Sequence, residues 1–284
     1  VLRLASKVAR SAIVFCWFAW DQAAWAVRFS RLLGKKSIVI IGGFDVVHMP
    51  EIDYGNLLNK RSARRTKYAI LKSTRPVAVS ESIRGDAVSL TGRPDIDVVY
   101  HGFDSEKFRP AAEKQDLVLT VGDINESNLQ RKGLLTFLKT AELLPDVRFA
   151  AVGRVGELSP QHRGLLSLPN VEVPGFVSDE GLLDYMQRAK VYVQVSAHEG
   201  FGCSLAEAML CECVPVVSSR GALPEVVGDA GAYVRFGDSR ATADAIEGAI
   251  GDKSPGKRAR ERIRTHFPLE KRRKALLETV RGLL

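Results

Sequence analysis

Residues Ser196 to Glu207 read Ser-Ala-His-Glu-Gly-Phe-Gly-Cys-Ser-Leu-Ala-Glu, which places two carboxylates, Glu199 and Glu207, on either side of a glycine pair. The stretch follows an apolar run, Val191 to Val195, and opens a helical pattern. Gly200 and Gly202 let the backbone approach a ligand closely. The free N–H groups of a helix start, together with the positive end of the helix dipole, attract an anion such as a phosphate. Glu207 has two readings at this stage. With Ser204 it fits S-x-x-E, the spacing of a capping box, and a carboxylate there can equally serve a ligand. Glu199 is different, because a negative charge just ahead of Gly-Phe-Gly repels the anion the loop attracts. It makes sense if it serves another part of the ligand, and a polyhydroxylated sugar is such a part.

A second element runs from Val121 to Gly133 between a strand and a helix, with Gly122 at its start and Arg131-Lys132 at its end. Cations at a helix start add their charge to the dipole and suit a phosphate. The competing reading of the pair is a solvated helix start. Asp95-Ile-Asp97 imitates a metal-binding D-x-D but precedes a strand and stands far from any glycine-rich loop. His198 is either a sugar contact or a turn residue, His101 shapes a turn, and Gly42-Gly43 ends a strand without a G-x-G-x-x-G context. No metal site is expected.

Composition bounds these possibilities. The chain has 284 residues, 45% hydrophobic and 26% charged, with no apolar run near the roughly 20 residues of a membrane span. Cys16, Cys203, Cys211 and Cys213 form no CxxC and show no matching His spacing, so neither a disulfide framework nor a zinc site is indicated. A secretory signal pattern is not apparent, and the expected place is the cytoplasm. The net charge of +8 and the pI near 9.4 call for an anionic partner. Residues 57–75 are strongly basic, with Leu57, Leu58, Tyr68 and Leu71 interleaved, so they read either as a solvated helix face or as a peripheral contact with the anionic inner face of a membrane. Nucleic-acid binding is not expected, since no aromatic stacking pattern or known module is present.

Alternating strand and helix patterns position the chemistry. Strands are expected at 12–18, 37–41, 76–80 and 97–100, and helices at 22–33 and 57–73. Residues 104–116 read as a linker. Beyond them, strands fit at 117–121, 147–152, 171–173, 191–195, 214–217 and 232–234, with helices at 133–144, 179–188, 204–211 and 240–250 and a charged helical tail from Lys257. Continuous apolar strands separated by helices imply an α/β fold with parallel sheets covered on both faces, and ligands gather at the carboxyl ends of such strands. The expected domains are 1–112 and 113–284.

These motifs, in this order, resemble the family 4 retaining glycosyltransferases. Their E-x7-E signature is matched by Glu199 and Glu207 with Gly200, Phe201 and Gly202 between. The likeness continues through Ala206-Glu-Ala-Met209, Val214-Pro-Val-Val217 and Gly221-Ala-Leu-Pro-Glu-Val-Val-Gly228, and more loosely through Val99-Tyr-His-Gly-Phe-Asp104. The resemblance implies a GT-B fold, two Rossmann-like domains facing a cleft, of which the N-terminal one is shorter here than in the family. It also implies transfer of a sugar from a nucleoside diphosphate sugar to a hydroxyl of a sugar or lipid-linked acceptor, with retention and without a metal or other cofactor. Glu207 would hold the ribose, Glu199 the transferred sugar, and the amides from Gly200 to Cys203 the sugar and diphosphate. Gly122 would lie beside the donor and Glu225 would support the loop near the nucleotide. Lys132-Gly133 matches the family's Lys-Gly, whereas Asp123 stands where the family has an Arg, so Arg131 is expected to replace that cation. The alternative function is a donor-binding or partner subunit without catalysis.

Overall fold

The computed structural model describes residues 2–111, 113–252 and 254–284. The chain divides into two units, one of residues 1–102 with 269–284 and one of residues 103–268. The boundary therefore falls ten residues before the expected one, and the last helix belongs with the N-terminal residues rather than with the second unit.

Unit 1 begins with α1 (Leu2–Ala9), β1 (Ile13–Trp17), α2 (Asp21–Leu32) and β2 (Lys36–Ile41), followed by α3 (Lys60–Lys72), β3 (Arg75–Ala78), α4 (Glu81–Thr91) and β4 (Asp97–Val98). The four strands are parallel, in the order β1-β2-β3-β4. Ser37 to Ile41 are buried without alternation, as in a parallel strand covered on both faces. The expected helix 57–73 starts only at Lys60, because the Asn59 side chain accepts from the amides of Arg61 and Ser62 and caps it there. Helices α1 and α4 were not anticipated. Helix α4 is marked at both ends, by the Ser80 hydroxyl accepting from Ile83 N and by Gly92 at φ +71°.

Unit 2 continues with β5 (Gln115–Val121), α5 (Glu126–Arg131), α6 (Leu134–Leu143), β6 (Arg148–Val152), α7 (Pro160–Leu165), β7 (Val171–Gly175), α8 (Asp179–Arg188) and β8 (Ala189–Gln194). It then runs through α9 (Cys203–Leu210), β9 (Val214–Ser218), α10 (Leu223–Val227), β10 (Ala232–Val234), α11 (Ser239–Gly251) and α12 (Ser254–His266). Six parallel strands lie in the order β10-β9-β8-β5-β6-β7. Val191 and Val193 join a core with Phe137, Phe149 and Ile246, while Tyr192 between them points to the opposite face and is equally buried. The sheet is thus covered on both sides.

Strand order in this sheet reverses between β5 and β8: the chain runs outward from β5 through β6 to β7, then returns to β8 and builds the other half. A crevice opens at the carboxyl ends of two such strands, because their following loops diverge to opposite faces. The last helix, α13 (Leu269–Arg281), sends Ala275, Leu276 and Val280 onto the core of unit 1.

Candidate donor site

The two loops that diverge at the reversal are those that the sequence singled out. The β5 loop carries Gly122 and ends at Lys132, and the β8 loop carries Ser196 to Gly202. Gly133, at φ +70°, brings them together, because a Cβ there would strike the Val195 carbonyl oxygen. The Ala197 amide donates to the Arg131 carbonyl at 2.8 Å, which ties the loops backbone to backbone.

Glu199 lies at the centre. Lys132 Nζ is 3.4 Å from its Oε1, and the Ser196 hydroxyl donates to the same oxygen at 3.1 Å. Burial pushes the Glu199 pKa up, but the charges of Lys132 and Arg131 and hydrogen bonds from Gln194 and Ser196 outweigh it, leaving the carboxyl below its usual range. The carboxylate is therefore ionised and held in place. Its backbone is also clamped: Ala222 N donates to the Glu199 carbonyl at 3.0 Å. Gly221, at φ +56°, sits so close that a Cβ would press on that carbonyl oxygen and lie 2.8 Å from Glu199 N.

Gly202 caps α9 in the left-handed conformation, φ +94°, and Cys203 is the first helical residue and is exposed. The capping-box reading of Ser204 and Glu207 is thereby removed, since Ser204 already lies inside the helix and Glu207 is the fifth helical residue. Ser204 instead hydrogen-bonds Tyr192. Burial raises the Glu207 pKa to about 7, against the pull of Lys107 and with a small push from Asp179. A half-buried carboxylate that no cap employs is a free acceptor for ligand hydroxyls.

Arg131 departs from expectation. The loop contains a helix, α5, and Arg131 is its last residue rather than the start of the next one, so its charge sits at the negative end of the α5 dipole. Its Nε and Nη2 donate to Asn128 Oδ1 at 3.0 and 2.7 Å. Lys132 is the cation that enters the crevice, its stem lying over Gly122, where a Cβ would come within 2.9 Å of Cδ. Asp123, at the position where the family has an Arg, accepts from Arg154 N at 3.3 Å.

Phe201 is expected to act through its amide, and its ring is engaged elsewhere. Its ring is buried between Phe103 at 5.8 Å and Phe267 at 5.3 Å, so only its backbone remains for a ligand. Glu225 lies in α10, its carbonyl accepting from Arg262 Nη2 at 2.8 Å, beside the Gly221 clamp. Gly200 and His198 are half-buried in the β8 loop. Gln194 and Ser196, which hydrogen-bond the Glu199 carboxylate, had no role assigned from the sequence. Their signal was a polar pair in an otherwise apolar run, Val191-Tyr-Val-Gln-Val-Ser196.

In unit 1, Asp95 pairs with Arg93 at 2.9 Å and Asp97 with Arg75 at 3.4 Å. Among the described residues no group of three or more His, Cys, Asp or Glu is arranged to hold a metal ion, and no helix is long and apolar enough to cross a membrane.

Comparison with known proteins matches residues 115–252, all within unit 2, to the family described as glycosyl transferases group 1. Unit 2 carries a group 1 glycosyl transferase domain. Within that domain lie both loops of the crevice and both glutamates of E-x7-E. The chain is 40% identical over 80 residues to the O-antigen chain mannosyltransferase B of Escherichia coli, covering 28% of this chain and 21% of that protein. It is 25% identical over 210 residues to the lipopolysaccharide core biosynthesis mannosyltransferase LpcC of Rhizobium leguminosarum bv. viciae, covering 66% of this chain and 60% of the relative. It thus spans less than two thirds of either relative. Among solved structures, Anabaena Alr3699/HepE in complex with UDP and glucose superposes with a TM-score of 0.83 over 99% of this chain and 81% of its own, at 17% identity. That likeness is one of fold: two Rossmann-like parallel-sheet units of the GT-B type, as expected.

Proposed function

We propose that the group 1 domain holds a nucleoside diphosphate sugar and that the chain transfers its sugar to an acceptor hydroxyl with retention at the anomeric carbon. The observation that carries this reading is the largely shielded, ionised Glu199 held against Lys132 at the reversal of strand order, four residues ahead of the first residue of α9. The α9 amides and Lys132 meet the diphosphate. Glu199 accepts from hydroxyls of the sugar, and Glu207, further along α9, accepts from the ribose.

Catalysis on this reading is electrostatic. As the glycosidic bond breaks, charge grows on the leaving diphosphate, and fixed donors aimed at it lower the barrier without reorganising. Lys132 and the backbone at Gly202 and Cys203 supply that field in place of a metal, and Arg131 adds to it from behind once it leaves Asn128. Calorimetric titration with UDP, GDP and their hexose derivatives, with and without EDTA, tests the reading. Tight, EDTA-insensitive binding of a diphosphate supports it, and a strict requirement for Mg²⁺ overturns the metal-free part.

A second reading is a donor-binding subunit without turnover. It is favoured by the Arg131 guanidinium being directed at Asn128 and by Asp123 replacing the usual Arg. Donor binding with neither transfer nor donor hydrolysis over a panel of sugar and lipid-linked acceptors would select it.

A further inference from the structure

Three helices of unit 1 hold a charge surplus that the donor site does not use. Helices α1, α2 and α3 together contain ten lysines and arginines against a single acid, Asp21, a surplus of nine positive charges in a chain whose total is +8. The cations lie on neighbouring elements, since α2 packs against both α1 and α3. Helical spacing aligns Arg3 with Lys7 on α1, Trp25 with Arg28 and Leu32 on α2, and Arg61, Arg64 or Arg65, Tyr68 and Lys72 on α3. The one acid is already engaged, by Arg65.

These side chains surround two adjoining hollows that share Trp25 and Arg65. One, about 170 Å³, is lined by Trp25, Arg28, Arg64, Arg65 and Tyr68. The other, about 480 Å³, adds Arg3, Leu4, Lys7, Gln22 and Asp21, whose carboxylate is paired with Arg65. The Arg28 guanidinium lies 5.9 Å from the Trp25 ring centre. At the end of α2, Leu32 is 73% and Leu33 46% exposed.

Cations gathered this closely repel one another, and a face meant only for water would interleave carboxylates among them. An indole between guanidinium groups with open leucines beyond fits the boundary between lipid headgroups and acyl chains, where Trp and Arg are at home and leucine inserts. A nucleic acid would use the cations but has no use for the leucines. We propose that the face formed by α1, α2 and α3 docks on an anionic phospholipid bilayer, with headgroup phosphates in the two hollows around Trp25. The proposal does not depend on the donor-site reading. It also moves the contact expected from residues 57–75: Leu57, Leu58, Tyr68 and Leu71 are half-buried, so α3 brings charge and α2 brings the inserting residues.

Co-sedimentation with vesicles of phosphatidylcholine containing about a third phosphatidylglycerol, against phosphatidylcholine alone, tests it. Binding to the anionic vesicles is expected, falling steeply between about 0.1 and 1 M salt. The double variant Arg28→Glu with Arg64→Glu, at exposed positions, should partition more than about tenfold more weakly. Near-UV circular dichroism and the thermal midpoint confirm that it is folded. Leu32→Ser with Leu33→Ser should weaken binding at high salt as well as low. Equal sedimentation with neutral vesicles, undiminished binding by the charge-reversed variant, or tighter binding to an oligonucleotide than to the anionic vesicles would each overturn the proposal.

Discussion

The Lys132 ammonium lies 3.4 Å from the Glu199 carboxylate, so one charge pair joins the loops that leave β5 and β8. The pair is largely shielded, with side-chain exposures of 21% and 12%. Removing one partner strands the other, because a buried charge without its counter-charge keeps its desolvation cost. Lys132→Ala should therefore raise the Glu199 pKa and cost about 1 to 3 kcal/mol of stability. It should also weaken diphosphate binding by more than about tenfold, with a smaller effect on the nucleoside, since a charge-assisted hydrogen bond contributes about 1.5 to 3 kcal/mol. Arg131→Ala, whose guanidinium rests on Asn128, should do less on both counts. Chemical denaturation and calorimetry separate these effects, and equal losses for nucleoside and diphosphate would refute the phosphate role.

Glu207 gives a pH signature. Its pKa of about 7 lies above the ordinary value of 4.5, so between these pH values the folded chain holds a proton that the unfolded chain has lost. Its contribution to stability is full below about pH 4.5 and is lost as pH rises through 7. Binding runs the other way. Two ribose hydroxyls donating to one carboxylate favour the ionised form, so nucleotide binding should release a proton near neutrality and tighten from pH 6 to pH 8. Titration in buffers of different ionisation enthalpy reads that proton directly. Glu207→Gln should abolish both the release and the pH dependence, and a variant that binds as before would remove Glu207 from the ribose.

Gly221 is fixed by the backbone of Glu199. At φ +56° any side chain is strained, and a Cβ would also press on the Glu199 backbone. Gly221→Ala should lose about 1 to 3 kcal/mol and weaken donor binding by displacing Glu199. Protection of the Ala222 amide from hydrogen exchange should fall with it. Unchanged protection would show that the clamp is not needed.

Phe201 separates packing from contact. Phe201→Ala removes a ring buried among Phe103 and Phe267 and should cost about 3 to 5 kcal/mol. Phe201→Leu should recover most of that stability and leave nucleotide affinity within about twofold, because only the backbone at 201 is available to a ligand. A large affinity loss in a stable Phe201→Leu variant would mean that the ring acts directly.

The sequence by itself determined the strand-and-helix alternation of both units, the parallel sheets and the position of the anion loop, because each rests on local pattern. Apolar runs such as Val191 to Val195 must be buried on both faces, and Gly200-Phe-Gly202 between a strand and a helix has few other uses. Helix α4 was also legible in Ser80 and Gly92, and was missed only because its apolar face is weak. Tertiary structure alone decided which of several compatible roles each polar residue takes. Ser204 with Glu207 satisfies the capping pattern on paper, yet the cap is Gly202, at a φ of +94° that favours glycine, and the helix begins at Cys203, so the carboxylate is released from that duty. Arg131 and Lys132 are equivalent as letters, but α5 ends between them, turning one back to Asn128 and sending the other to Glu199. The basic residues of α1, α2 and α3 are far apart in the chain, and only the packing of α2 against both neighbours gathers them around Trp25. Local propensity acts over a few residues, whereas the reach of a lysine or the company of a carboxylate depends on segments brought together by burial of the core.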